Sequence, residues 1–99
     1  MFLIIGTVRL PEALVNAARP SMASMVEASR AEAGCLEYSY AEDVLDPGLI
    51  HVNELWIDRA ALDEHFKSAH ISTWRACWPS FGIGQRRLSL YEVGEPKPI

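Results

Sequence analysis

The sequence predicts an α+β domain in which a four-stranded antiparallel sheet carries two helices on one face. Three observations lead there. Four short segments show the alternation or β-favouring composition of strands. Two longer segments place apolar residues at helical spacing. The six follow one another as strand, helix, strand, strand, helix, strand, which is the ferredoxin-like β-α-β-β-α-β order.

Phe2 to Arg9 reads as the first strand, closing before Pro11. Pro11-Glu12 suits a helix start, because proline tolerates the first turn and an acid faces the positive helix end. Leu14, Ala18, Met22, Met25 and Ser29 then form one apolar or small face. Pro20 interrupts that face and is expected to kink or divide the helix, since it lacks a backbone donor. Gly34 is a plausible C-terminal cap. From Cys35 to Asp43, Leu36, Tyr38 and Tyr40 alternate with Glu37 and Ser39, as in a half-buried strand.

Asp46-Pro47-Gly48 is a turn signal. The strand after it, Leu49 to Ile57, puts Ile50, Val52, Glu54 and Trp56 on one side and His51, Asn53 and Leu55 on the other. Asp58 suits the cap of a second helix running from Arg59 through His65 toward Trp78, before Pro79, with Ser80 to Gly84 as loop. Arg87 to Val93 reads as the last strand. Residues 1–94 are thus expected to form one domain and 95–99 a flexible tail.

A chain of 99 residues holds one core, and at 49% hydrophobic residues it has more apolar surface than so small an interior absorbs. The helix-free face of the sheet lacks a cover, so a sheet-on-sheet homodimer is expected. The net charge of −4, without a basic stripe, argues against nucleic-acid binding, and Arg86-Arg87 is expected at a solvated strand edge. No apolar run approaches the roughly 18 residues of a membrane span, and Met1–Ile5 lacks the basic flank of a secretion signal. Cys35 and Cys77, without a C-x-x-C pattern, fit a reduced, cytoplasmic protein.

Few residues offer chemistry. There is no phosphate-binding glycine loop and no G-x-S-x-G elbow. His65 and His70 would lie about 140° apart around a continuous helix, without a converging carboxylate, so no metal site is expected. His65 follows Leu62 by three and precedes Ala69 by four, which turns it toward the sheet as a proton acceptor, or as a core histidine bonded to a backbone carbonyl. Glu54, between Val52 and Trp56, is costly to bury unpaired; His65, Arg30 or a second subunit's arginine are candidate partners. Tyr38 and Tyr40 each bring a hydroxyl to an apolar face, whereas Trp74 and Trp78 read as core and interface aromatics.

Three segments carry a family resemblance. Ser29-Arg30-Ala31-Glu32-Ala33-Gly34-Cys35-Leu36-Glu37-Tyr38 resembles a helix-to-strand junction of the antibiotic biosynthesis monooxygenases. Asn53-Glu54-Leu55-Trp56-Ile57-Asp58 resembles their E-x-W strand and helix start, and Asp63-Glu64-His65-Phe66-Lys67-Ser68-Ala69-His70 their helix with paired histidines. The resemblance, to quinol-monooxygenase-like members above all, implies a dimeric α+β barrel with a substrate cavity between sheet and helices. It also implies a cofactor-independent oxygenase (an oxidoreductase) that uses dioxygen on an aromatic quinol or anthrone-like molecule. On that reading His65 and Glu54 are the catalytic candidates, and Trp56, Tyr38, Val52 and Ala69 the substrate-binding ones.

The region Ile5-Gly6-Thr7-Val8 lacks the strand asparagine of haem-degrading relatives, and Val52 stands where some anthrone oxygenases place another. The alternatives are a non-oxidative isomerase using His65 and Glu54 for proton transfer, and a non-catalytic small-ligand binder.

Overall fold

The computed structural model describes residues 1–99. Its elements are β1 (Phe2–Arg9), a short 3-10 turn (Glu12–Leu14), α1 (Val15–Arg30), β2 (Cys35–Glu42), β3 (Leu49–Trp56), α2 (Arg59–Phe66), α3 (Ala69–Phe81) and β4 (Gly84–Glu92). The strands form one antiparallel sheet in the order β2-β3-β1-β4, as the ferredoxin-like reading requires. Met25 of α1, Leu62 of α2 and Trp74 of α3 share a single core with Ile4, Val8, Ile50 and Trp56, which places all three helices on one sheet face.

Strand register determines what those helices look down upon. Leu90, Ile4, Glu54 and Tyr38 pair across the four strands in one row. Leu88, Gly6, Val52 and Tyr40 form the next row on the same face. Leu36 does not join this face: the register shifts between Cys35 and Glu37, and Leu36 is exposed.

Of the two outcomes open at Pro20, division is excluded: α1 continues through it with Ala18, Met22, Met25 and Ser29 buried. The rest of the helical reading is changed in two ways. The second helix, expected to be continuous, is two helices. Ser68 breaks it, because its hydroxyl accepts from Ile71 N (3.4 Å) as the cap of α3 and donates to the His65 carbonyl (2.7 Å) at the end of α2. Pro79 does not end α3, which runs on to Phe81 and closes at Gly82, where φ is 65°. So near the end of the helix, proline removes only one exposed backbone bond. β4 correspondingly starts at Gly84, three residues earlier than expected.

The cap expected for the second helix is present. Asp58 caps α2, accepting from Ala61 N at 2.8 Å. Val93–Ile99 form no helix or strand. The helix-free face mixes Leu3, Ile5, Leu55 and Tyr91 with Asn53, Ser89 and Arg87.

Gly6 is the tightest point of the sheet. Its φ is 155°, and a Cβ there would lie 1.9 Å from the Arg87 carbonyl oxygen, so β1 and β4 pair at this register only without a side chain. Gly6→Ala should lower stability by about 2 kcal/mol, read as a fall in Tm of roughly 8 °C or more in thermal denaturation.

Candidate functional site

The helix break brings together residues that a continuous helix would hold apart. His65 ends α2 and His70 opens α3, and both rings turn onto Glu32 in the turn after α1. His65 Nδ1 donates to Glu32 Oε2 at 2.6 Å, and His70 Nε2 donates to the same oxygen at 2.8 Å. An ionised carboxylate only accepts, so these contacts define the tautomers: His65 carries its proton on Nδ1 and presents an unprotonated Nε2. That Nε2 lies 3.7 Å from Glu54 Oε1.

Two expectations about this site are corrected. His65 and His70 do converge, and a carboxylate converges with them; their donor atoms and that of Glu32 lie within 4.8 Å of one another. The angle computed for one helix does not apply across a break at Lys67-Ser68. These three are the residues able to gather round a cation, and in this structure short hydrogen bonds join them. The partner of His65 is also a carboxylate rather than a backbone carbonyl. Glu32 was missed because it stands 33 residues away in a turn; only its place beside Gly34-Cys35 in the family-like junction marked it.

Of the partners expected for Glu54, His65 approaches to 3.7 Å, whereas Arg30 instead donates to the Tyr38 carbonyl at 2.7 Å. The hydrogen bond to Glu54 Oε1 comes from an unexpected donor, Trp56 Nε1, at 3.0 Å within the buried strand. Burial dominates the carboxyl and pushes its pKa up to about 7, although the Trp56 bond and the charges of Arg86 and Arg75 act the other way. Burial likewise lowers the pKa of His65, opposed by Glu32. At neutral pH the imidazole is therefore neutral, and Glu54 is poised between acid and carboxylate.

These groups meet at a cavity of about 130 Å³ between the sheet, α2 and α3. Tyr38, Val52, Glu54 and His65 line it. Trp56 does not: it is fully buried, stacks with its ring centroid 4.5 Å from that of His65, and supports the site from behind. Ala69 is also absent from the lining, since it starts α3 and is exposed. Trp74, a core aromatic as expected, and Trp78 also take part in the wall, as do Arg86 and a residue the sequence reading did not consider, Arg75.

Tyr38 and Tyr40 share a hydroxyl contact of 2.9 Å, and burial raises both phenols well above their ordinary range, so they act as neutral hydrogen-bonding groups. Cys35 is pushed up to about 11 by burial and by Glu32 and Glu54, the reverse of an activated thiol.

A neutral imidazole oriented by a carboxylate thus stands beside a protonatable carboxyl, in an apolar cavity of a ferredoxin-like α+β domain. The chain belongs to the antibiotic biosynthesis monooxygenase family, whose model matches residues 1–76. Over 76 residues it is 29% identical to an uncharacterised protein, sll1783, of Synechocystis sp.; the match takes in 77% of this chain and 52% of that protein, so the chain spans about half the length of this curated relative. Rv0793 from Mycobacterium tuberculosis is 26% identical, with a TM-score of 0.76 over 98% of this chain and 96% of that one. A Deinococcus radiodurans protein, provisionally assigned as an antibiotic biosynthesis monooxygenase, shares the fold at TM-score 0.91 and 24% identity, over 100% of this chain and 98% of that one.

The raised pKa of Glu54 has a signed consequence for stability. Folding favours the protonated form, so this contribution is fully present below the ordinary value of 4.5 and is lost as pH rises through about 7. Glu54→Gln keeps an acceptor for Trp56 and removes the buried charge. In urea titrations it should be more stable than wild type above pH 7, by up to about 3 kcal/mol, and should lose the pH slope between those limits. An unchanged slope would refute the assignment.

Proposed function

We propose that the protein is a cofactor-independent monooxygenase of electron-rich aromatic rings, with His65 as the base. The observation that carries this reading is the Nδ1–H tautomer of His65, held by Glu32, which leaves Nε2 as a lone pair at the cavity beside Glu54. A quinol gives its phenolic proton to Nε2 and acquires carbanion character at the neighbouring ring carbon. That carbon passes an electron to dioxygen, and the pair combine to form a C–O bond. That carbon then loses its hydrogen as a proton, and the C–H electron pair forms the carbonyl as the O–O bond breaks. One oxygen stays on the ring and the other leaves as water, so a quinol and dioxygen become a hydroxyquinone and water with no external reductant. In this reading Glu54, in its acid form, protonates the departing oxygen.

Cavity size selects among substrates. A cavity of about 130 Å³ compares with the roughly 150 Å³ that encloses one benzene. One-ring quinols therefore suit it better than three-ring anthrones. Tyr38 and Tyr40 supply hydroxyls to the ring oxygens, and Val52 its apolar wall. In this reading the chain works as a homodimer joined through its helix-free face, where Ile5 and Tyr91 are 37% and 49% exposed.

A second reading, a non-oxidative isomerase, draws on the 3.7 Å approach of His65 to Glu54, which suits a proton shuttle without dioxygen. Oxygen consumption separates the two. With a panel of one-ring quinols, wild type should consume dioxygen, and His65→Ala should be slower by about 100-fold or more. Turnover that continues unchanged without dioxygen would establish the isomerase instead. The rate should fall on the acid side as His65 protonates and on the alkaline side as Glu54 ionises near 7; Glu54→Gln should remove the alkaline fall. Ile5→Glu should convert a dimer to monomers in light scattering.

A further inference from the structure

Arg75 of α3 and Arg86 of β4 face the cavity from opposite walls. Like Arg19, Arg30 and Arg87, neither forms an ion pair, but these two alone stand unpaired at the cavity, where a carboxyl, Glu54, is also present. Glu54 is the one carboxyl among the lining residues, and its only close donor is Trp56. Arg75 lies over the Trp78 ring, 5.2 Å from its centroid. Trp78 lines the same cavity, and its buried Nε1–H has no hydrogen-bond partner, which is uncommon for an indole in an interior. Two guanidinium groups thus border the cavity without a carboxylate partner, beside a Trp78 ring whose own N–H is buried and unbonded. The charged lining is two arginines against one carboxyl whose burial favours its neutral form, in a protein that is acidic overall.

We propose that the ligand of this cavity is a one-ring aromatic carboxylate, its ring against His65 and its carboxylate taken by Arg86 and Arg75. A guanidinium presents a planar fork that matches a carboxylate, and such charge-assisted bonds are stronger than neutral ones. The ring fills the apolar volume, and the carboxylate lies toward the mouth, where both arginines are partly exposed and little desolvation is needed. The oxidisable-ring part of this assignment rests on the oxygenase reading, whereas the carboxylate part stands on the unpaired donors alone.

The test is binding, measured without turnover. 2,5-Dihydroxybenzoate and its neutral methyl ester are titrated into the full chain without dioxygen, at about pH 7.5 where the benzoate is ionised, following quenching of the cavity tryptophans. The benzoate should bind about tenfold more tightly than the ester at low salt, and the advantage should shrink as salt screens the arginines. The Arg75→Gln/Arg86→Gln double variant should bring the two ligands within about threefold of each other. Arg87→Gln, next to Arg86 but on the other face of β4, should keep the full preference.

Equal binding of acid and ester, no binding of either, or an equal loss in Arg87→Gln would overturn the proposal. Admitting dioxygen then isolates the oxygenase reading. A tightly bound benzoate that consumes no oxygen leaves the carboxylate site standing and removes the oxygenase, whereas an ester bound and oxidised as well as the acid does the reverse.

Discussion

One oxygen atom organises the site. Oε2 of Glu32 accepts from His65 and from His70, and so ties the turn after α1 to the end of α2 and the start of α3. His65 is 1% exposed, and a buried imidazole needs a partner for its donor. Glu32 supplies it and in doing so selects the tautomer. Without this carboxylate the ring would be free to turn, and Nε2 would no longer be a defined lone pair at the cavity. Structure and chemistry here depend on the same contact.

The second constraint is the burial of Glu54. A carboxyl on a core-facing strand position, with an indole N–H as its close donor, is held where its charged form is disfavoured. A structural role alone would be met better by an apolar side chain of similar size. Retaining an acid there sets two titratable groups 3.7 Å apart with pKa values displaced toward each other, one raised and one lowered. Such displacement is how a fold obtains an acid and a base that both work near neutrality. Trp56 contributes from behind, by its bond to Glu54 and its stacking on His65, so it shapes the reacting groups without touching the cavity.

Much of the frame was legible in the sequence because it follows from local rules. β-favouring composition located β1 and alternation β2 and β3, the Asp46-Pro47-Gly48 turn and the cap at Asp58 marked boundaries, and the apolar face of α1 is buried at Ala18, Met22, Met25 and Ser29 as its spacing requires. His65, Glu54, Tyr38 and Val52 fall at the cavity. What periodicity misjudged came from extending one element too far. Treating 59–78 as a single helix put His70 on the wrong side of His65 and Ala69 in the wall. Arg86 is exposed on the edge strand as its charge suggested, yet it also lines the cavity, because a pattern that sorts residues into inside and outside has no category for a rim.

The sequence by itself determined the order of elements, which sheet face is apolar, and the family to which the chain belongs. These are encoded in spacing over a few residues, where hydrophobic period and capping chemistry act. Tertiary structure alone decided that Glu32 meets His65 across 33 residues, that Trp56 stands behind the site, and that two arginines remain unpaired at its mouth. Those facts depend on the angle at Ser68 and on strand register. Both arise only when distant segments pack, because neither has a local energetic signature in the chain.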